Sequence, residues 1–272
     1  MKTKVLEDFF RLTPESIFGS VDSVVDEAMP GYRCSGRALA LNSLENRVYD
    51  IELESRKETS QVVAKFYRPG RWTESQIQEE HDFLYALEEA EIPVVSPWRL
   101  DDQSIFETPD GILFALYEKV RGRLMDELDP DRLRTLGRYI ARIHNVGERF
   151  PFKNRLTLTS EKWGRDSLEF LLETGLIDPL YRKRYQAVCE ALILLAHDAL
   201  RDVPAISLHG DCHLGNTLWQ QDAPFFLDFD DCMTAPAVQD IWMVVRGRDS
   251  YADRSEEHTS ELQSHHDLVC RL

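Results

Sequence analysis

The sequence contains no apolar run of the roughly 20 residues that a membrane-spanning helix needs. Its first residues, Met1-Lys2-Thr3-Lys4 followed by Glu7 and Asp8, also lack the apolar centre of a signal peptide. The five cysteines are scattered without a metal-type spacing, so neither a disulfide framework nor a structural zinc site is indicated. We therefore expect a soluble protein that works in the cytoplasm.

Positive charge is scarce, since 32 Lys and Arg stand against 48 Asp and Glu and give a formal net charge of -16. Binding to nucleic acid or to an anionic membrane relies on clustered basic residues, so neither is expected as a partner. The 272 residues are 43% hydrophobic, which is enough for one large domain or two small ones. We expect a globular monomer.

Residues 254–272 resemble the translation of a common DNA-sequencing adapter, and the codon match continues through most of the segment. We expect this segment to have no function, which removes the tract of His258, His265 and His266 as a metal site. The natural protein is then expected to continue differently after Asp253. A chain that lacks those natural residues is expected to have weak activity or none.

Alternating apolar residues predict a small antiparallel sheet between Arg37 and Tyr67. Pro69-Gly70 interrupts the alternation, and apolar residues at helical spacing then predict a helix over 73–89. Two further strands are predicted at 92–95 and 112–120. The residues predicted to share a face are Tyr49, Ile51 and Leu53 on one strand, Val62, Ala64 and Phe66 on the next, and Ile77, Leu84 and Leu87 on the helix.

Helical patterns dominate after Val120, which predicts a boundary near Arg121 between an N-terminal lobe over 1–120 and a C-terminal lobe over 121–253. Three short apolar runs at 205–208, 217–219 and 225–227 predict strands separated by polar loops. The two apolar helical stripes are Leu133, Leu136, Ile140 and Ile143, and Tyr181, Tyr185, Val188, Leu192 and Leu195.

Residues 209–216, His-Gly-Asp-Cys-His-Leu-Gly-Asn, are here named the catalytic segment, and Asp228 follows them across a predicted hairpin. Phosphoryl transfer needs a carboxylate to orient the attacking hydroxyl and divalent cations to neutralise phosphate charge. Asp211 is therefore a candidate proton acceptor, and Asn216 and Asp228 offer the hard oxygen ligands that magnesium takes. His209 and His213 could orient the segment, and its two glycines permit a tight backbone path.

A second candidate group lies upstream, where Lys65 stands within an apolar strand. A buried strand rarely accepts a charge without a partner, and Glu80 on the following helix is the expected counter-ion. Glu79 is adjacent, but Glu80 has apolar residues at the inward-facing helical offsets. The pair could hold the ammonium against nucleotide phosphates. A glycine-rich phosphate loop is lacking, and Ser43 in the first interstrand turn is a candidate phosphate contact instead.

These motifs together resemble the bacterial stress response kinase A family, which belongs with the aminoglycoside phosphotransferase and choline kinase group of protein-kinase-like folds. The resemblance covers nearly all of residues 30–250. Its matching segments include Leu41-Asn42-Ser43, Val63-Ala64-Lys65-Phe66-Tyr67-Arg68-Pro69, Glu79-Glu80-His81, Leu208-His209-Gly210-Asp211-Cys212-His213, Gly215-Asn216, Asp228 and Pro236-Ala237-Val238-Gln239-Asp240.

The resemblance implies an α+β, two-lobed protein-kinase-like fold, with a small antiparallel sheet in an ATP-binding N-terminal lobe and a mainly helical, incomplete C-terminal lobe. It implies ATP and Mg²⁺ as cofactors and a Ser or Thr hydroxyl of a protein as the acceptor during stress. Asp240 resembles a buried acid that braces the catalytic loop. The assigned residues are Asp211 and Asp228 for catalysis, Asn216 and Asp228 for magnesium, and Ser43, Lys65 and Glu80 for ATP.

The sequence is also compatible with two other functions. Small-molecule kinases use the same catalytic parts on sugar, choline or antibiotic hydroxyls, so only the acceptor would differ. Gly210-Asp211-Cys212-His213 also partly resembles the Gly-Asp-x-His motif of dinuclear metallophosphoesterases. Such a site needs several more His and Asp ligands on successive loops.

Overall fold

The computed structural model describes residues 2–41, 43 and 45–244, which form two compact units. The N-terminal unit contains the described residues up to Arg123 together with Phe225–Leu227. The C-terminal unit contains Leu124–Pro224 and the described residues from Asp228 onward. The adapter-like segment 254–272 lies outside the described residues. Within the described ranges, no helix is both long and apolar enough to cross a membrane.

Two helices, α1 (Lys2–Phe10) and α2 (Pro14–Ala28), precede a five-stranded antiparallel sheet in the N-terminal unit. Lys65 on β3 lies opposite Val48 of β2 and Ala115 of β5, so it occupies a central strand rather than an edge. The strands are β1 (Arg33–Leu41), β2 (Arg47–Glu54), β3 (Thr59–Phe66), β4 (Phe106–Glu107) and β5 (Leu113–Glu118), paired in the order β1-β2-β3-β5-β4.

One face of this sheet forms the core of the N-terminal unit. Successive side chains of a strand point to opposite faces, so every second residue of β2 and β3 is buried as predicted. The opposite face of β3 then carries Val63 and Lys65. The core residues are Tyr49, Ile51 and Leu53 of β2, Val62, Ala64 and Phe66 of β3, and Ile17, Val21 and Val25 of α2.

The predicted helix after Pro69-Gly70 is confirmed as α3 (Glu74–Glu89). It begins at a capping box, in which Thr73 Oγ1 accepts from the Gln76 amide at 3.3 Å and the Gln76 side chain accepts from the Thr73 amide at 2.9 Å. Its buried face carries three polar side chains among the apolar ones. The buried residues are Ile77, Glu79, Glu80, His81, Phe83, Leu84 and Leu87.

The strand predicted at 92–95 is wrong. Pro93 lacks an amide hydrogen and Pro97 follows shortly after, so the segment cannot maintain a ladder of hydrogen bonds. Within it, Val94 makes an isolated bridge to Phe226, and Pro97 just beyond it makes another to Tyr117. The strand predicted at 112–120 is confirmed as β5, and the two-residue β4 was not predicted.

Helices make up most of the C-terminal unit. The three predicted strands are confirmed as β6, β7 and β8, and β9 pairs antiparallel with β6. Leu133, Leu136, Ile140 and Ile143 are buried on α4, as their spacing predicts. The elements are α4 (Pro130–Gly147), a π-helical turn (Glu161–Arg165), α5 (Asp166–Glu173), α6 (Pro179–Leu200), β6 (Ile206–Leu208), β7 (Thr217–Gln220), β8 (Ala223–Phe226), β9 (Met233–Ala235) and α7 (Val238–Val244).

The second predicted apolar stripe lies on α6 but is not buried. Ile193 is buried beside a cavity of about 380 Å³, which lies between α6 and residues 158–171 and is lined mainly by apolar side chains. A stripe is buried only where another element packs against it, which spacing alone does not reveal. The exposed members are Tyr181, Tyr185, Val188, Leu192 and Leu195.

Candidate active site

The catalytic segment leaves β6 and is held by Asp240 at the start of α7. One carboxylate oxygen of Asp240, Oδ1, accepts from the Gly210 amide at 2.8 Å, and the other, Oδ2, accepts from the His209 amide at 3.2 Å. The neighbouring Gln239 side chain donates to the Gly210 carbonyl at 3.0 Å. Asp240 is fully buried, so these bonds fix the first residues of the segment from the protein interior.

His144 on α4 is the further partner of Asp240, with its Nε2 3.0 Å from Oδ2. Burial acts to raise the pKa of the Asp240 carboxyl, but the hydrogen bond and charge of His144, the charge of His209 and the Gly210 amide outweigh it. The pKa of Asp240 therefore lies below its ordinary value. Asp240 was identifiable from the sequence, whereas His144 was not, because its only signal was its place beside the apolar stripe of α4.

Gly210 is required by both its conformation and its surroundings. Its φ of 86° lies in the left-handed region that favours glycine. A Cβ atom at this position would lie 2.1 Å from the carbonyl oxygen of Asp231. The prediction that glycine permits the tight path is confirmed here.

Asp211 and Asn216 are brought into direct contact. The Asn216 amide nitrogen Nδ2 donates to the backbone oxygen of Asp211 at 2.9 Å and to its carboxylate Oδ2 at 3.1 Å. Because Nδ2 faces two acceptors, the carbonyl Oδ1 of Asn216 remains the acceptor end of that side chain. Asp211 is half-buried, so its carboxylate is fixed in position and still accessible.

Both histidines of the catalytic segment make contacts that orient it. His209 Nδ1 accepts from the Asp211 amide at 3.3 Å, and the His209 ring lies 4.2 Å from the Phe229 ring between centroids. His213 Nδ1 accepts from the Gly215 amide at 2.9 Å and caps the 3-10 turn that ends at Asn216. The backbone of Asp211 and the position of Asn216 therefore both depend on these imidazoles.

Asp228 stands at the start of a 3-10 turn over Phe229–Asp231. Its φ of 56° and ψ of 68° are left-handed, a conformation that costs energy for residues other than glycine. Arg155 supports this turn from inside, because its buried guanidinium donates to the Cys232 carbonyl at 2.8 Å and to the Asp230 carbonyl. The Asp228 side chain itself is exposed. Arg155 had no signal in the sequence.

The oxygen atoms of Asn216 and Asp228 suit magnesium better than a metal ion whose ligands all come from the protein. No group of three or more His, Cys, Asp or Glu among the described residues could hold a metal ion. Magnesium usually takes one or two protein oxygens and fills its octahedron with water and substrate phosphates. The Asn216 carbonyl and the Asp228 carboxylate are hard oxygen donors of this kind. The dinuclear phosphoesterase interpretation, which needs a larger ligand set, gains no support.

In the N-terminal unit, the predicted pair of Lys65 and Glu80 is present. Lys65 Nζ lies 3.3 Å from Glu80 Oε1, and both side chains are buried. The helical offsets predict Glu80 rather than Glu79 as the counter-ion, and the contact of Glu80 with Lys65 agrees with that prediction. The hydroxyl of Ser43 accepts from the Asn46 amide at 3.2 Å within its own turn.

Proteins of similar sequence include several that are named as kinases. The family described as "Phosphotransferase enzyme family" matches residues 37–264. Stress response kinase A of Escherichia coli strain K12 is 34% identical over 255 residues, which cover 89% of this chain and 76% of the relative. A Salmonella typhimurium protein named serine/threonine protein kinase RdoA is 32% identical over 267 residues, covering 93% and 78%.

Solved structures show a similar fold. An amicoumacin kinase solved with AMP-PNP, Ca²⁺ and its antibiotic aligns with a TM-score of 0.71 at 21% identity, covering 89% of this chain and 77% of that chain. A spectinomycin phosphotransferase aligns with a TM-score of 0.62 at 11% identity, covering 92% and 80%. The predicted α+β protein-kinase-like fold is thereby confirmed, and the predicted resemblance to stress response kinase A is confirmed by the relatives.

Proposed function

This chain belongs to the phosphotransferase enzyme family, and from that membership and the catalytic segment we propose that it transfers the γ-phosphate of ATP to a Ser or Thr hydroxyl of a protein. That it is an ATP-dependent kinase follows from the family and from its kinase relatives. The narrower part of the proposal is that the acceptor hydroxyl belongs to a protein. It is supported by the name of one relative, a serine/threonine protein kinase.

The observation that carries the proposal is the contact between Asp211 and Asn216 on a braced segment. Asn216 fixes one oxygen of the Asp211 carboxylate, and His209 accepts from the Asp211 amide. Asp240 fixes the two residues before Asp211 by accepting from their amides. A carboxylate held in this way can accept the proton of an attacking hydroxyl without reorganising first. We assign Asp211 as the proton acceptor on this basis.

Asn216 and Asp228 are the proposed magnesium ligands. The Asn216 amide is oriented by its two bonds to Asp211, so its carbonyl oxygen is presented in a fixed direction. Arg155 holds the turn that follows Asp228 through two backbone carbonyls, which keeps the left-handed Asp228 in place. Magnesium, when bound with ATP, supplies the positive charge that neutralises the transferring phosphate.

Lys65 is the proposed contact to the ATP phosphates in the N-terminal unit. Its ammonium is buried beside Glu80, which holds it in one position. Glu80 belongs to the ATP site through this pair rather than through a contact of its own. Ser43 is proposed as a further phosphate contact, supported by its location in the turn between β1 and β2.

The acceptor is tested with radiolabelled ATP, magnesium and two sets of acceptors. One set contains casein-like proteins and the other contains small alcohols such as choline, sugars and aminoglycosides. We expect label on proteins, recovered as phosphoserine or phosphothreonine, and little label on the alcohols. Label that appears only on a small alcohol would identify a small-molecule kinase instead.

The same assay also distinguishes a kinase from a phosphoesterase, and it includes a control variant. Lys65→Ala should remove transfer, whereas Asp222→Asn, a change at an exposed aspartate after β7, should leave it intact. Phosphatase activity that persists in Lys65→Ala would favour the phosphoesterase interpretation. Transfer that persists in Lys65→Ala would remove Lys65 from the ATP site.

A further inference from the structure

The side chain of Tyr67 lies beside the ammonium of Lys65 where the chain leaves β3. Lys65 Nζ is 5.1 Å from the centre of the Tyr67 ring and 3.3 Å from Glu80 Oε1. Side chains two residues apart on extended chain point to the same side, which makes the ring and the ammonium neighbours. At this distance the face of an aromatic ring attracts a cation.

The Tyr67 hydroxyl is held by polar groups from two other elements. It lies 2.8 Å from Nε2 of His81 on α3 and 3.0 Å from the hydroxyl of Tyr117 on β5. Nδ1 of His81 lies 2.8 Å from Oγ of Ser104. All four side chains are buried, so a turn of the Tyr67 ring would break two buried hydrogen bonds.

Two consecutive residues of α3 therefore contribute to the surroundings of the ammonium. Glu80 provides the carboxylate that pairs with Lys65, and the next residue, His81, provides the imidazole that contacts Tyr67. A lysine side chain is flexible and loses much rotamer freedom when it is fixed in one place. A rigid ring beside the ammonium restricts that freedom before ATP arrives.

We infer that Tyr67 is a positioning residue, which fixes the Lys65 ammonium for the phosphates of ATP, and that His81 acts through it. The inference rests on the proposed function, because it takes Lys65 as a contact to ATP. Neither Tyr67 nor His81 is assigned to touch ATP or the acceptor. Their effect should therefore appear only while Lys65 is present.

The first test measures the Kd of magnesium-ATP by calorimetry in three single variants, each checked for folding by thermal unfolding. Tyr67→Leu removes the ring and should raise the Kd about tenfold, as expected for loss of a buried cation–π contact. Tyr67→Phe keeps the ring and should raise it only about twofold. Tyr49→Phe is the matched control, because Tyr49 is also buried and donates its hydroxyl to the Leu12 carbonyl at 3.0 Å. Its Kd should be that of the parent chain.

The second test is a double-mutant cycle with Lys65→Met. In the Lys65→Met background, Tyr67→Leu should cause no further loss of ATP affinity, because Tyr67 acts through the ammonium. A purely structural role would lower the melting temperature and leave the Kd of the folded protein unchanged. Equal losses in both backgrounds would overturn the inference.

Tyr67→Leu could fail to fold, so a further variant keeps the ring of Tyr67 in place. His81→Gln removes the imidazole beside the Tyr67 hydroxyl and should raise the Kd about twofold, as Tyr67→Phe does, while an unchanged Kd would contradict the inference. The same measurements distinguish failure of the proposed function from failure of this inference. If Lys65→Met leaves ATP binding intact, the role of Lys65 is wrong; if Lys65→Met weakens binding and Tyr67→Leu does not, only the role of Tyr67 is wrong.

Discussion

Lys65 and Glu80 compensate each other's charge inside the N-terminal unit, so removing one should leave the other charge buried. We predict that Glu80→Ala lowers the free energy of unfolding by about 3–5 kcal/mol. The matched control is Glu54→Ala, which breaks the exposed pair with Arg33 and should cost less than about 1 kcal/mol. Urea titration measures both, and equal costs would show that the buried pair is not a coupled unit.

The lowered pKa of Asp240 predicts how the stability depends on pH. Folding favours the carboxylate form, so its contribution is complete above the ordinary pKa of 3.8 and is lost as the pH falls through the lower folded pKa. At pH 7, Asp240→Asn should lower the melting temperature by about 5 °C, because two backbone amides lose a charged acceptor. Below pH 3.8 the difference between parent and variant should shrink. A difference that is constant from pH 7 to pH 3 would contradict the assignment.

Some functional residues were identifiable from the sequence because their partners are close in the chain or because their type is rare in its setting. Lys65 was identifiable because a charge stood in an apolar strand, and Glu80 because it followed on the next helix. His144 and Arg155 were missed because their partners lie 96 and 75 residues away. Contacts between such distant residues depend on the tertiary fold, which a local pattern does not contain.

Among the elements, the path of the catalytic segment depends on a glycine at position 210. Gly210→Ala would incur both the left-handed φ of 86° and an overlap with the Asp231 carbonyl oxygen. Gly175→Ala is the matched control, because it shares a left-handed φ of 69° but has no atom within 4 Å of the added Cβ. We predict a cost of about 1–2 kcal/mol for Gly175→Ala and a clearly larger one for Gly210→Ala.

Urea titration of both glycine variants provides the measurement, and an assay of phosphoryl transfer complements it. Only Gly210→Ala should reduce transfer, because it displaces the backbone that carries Asp211. Equal stability of the two variants would show that the segment can move away from the Asp231 carbonyl, and the close approach would then not constrain the catalytic segment.

Local periodicity predicted the elements wherever one face of an element is buried. β2, β3 and α3 followed from their spacing, since alternation and helical periodicity report directly on the buried face. The strand at 92–95 was predicted wrongly because its apolar residues are typical of a strand, whereas Pro93 prevents a ladder of backbone hydrogen bonds. The stripe on α6 correctly predicted a helix, but its spacing does not show whether another element covers it, and its members are exposed.

For the whole molecule, nucleotide binding should appear as stabilisation by mass action. A ligand that binds only the folded protein adds about 2.7 kcal/mol at a concentration of 100 times its Kd. ATP with magnesium should therefore raise the melting temperature by several degrees, and ATP with a chelator should raise it less. In Asn216→Ala the benefit of magnesium should shrink, while Asp222→Asn should behave as the parent chain. A magnesium effect that is unchanged in Asn216→Ala would exclude it as a ligand.

The reaction class was predictable from a few residues, whereas the acceptor is not determined by them. The roles proposed for Asp211, Asn216 and Asp228 follow from the chemistry of the transferring phosphate, which does not depend on the acceptor. The fold hosts different acceptors, so fold similarity alone does not select a protein hydroxyl. The acceptor assay therefore decides the part of the function that residues 209–216 leave open.

The central claim is that Asp211 accepts the proton of the acceptor hydroxyl, and Asp211→Asn tests it most directly. The substitution keeps the shape of the side chain and removes its basicity. Two quantities are measured on the same preparation with radiolabelled ATP: the Kd of magnesium-ATP and the rate of transfer. We predict a Kd within twofold of the parent chain and a transfer rate lower by about 100-fold or more. Transfer at the parent rate in Asp211→Asn would contradict the account.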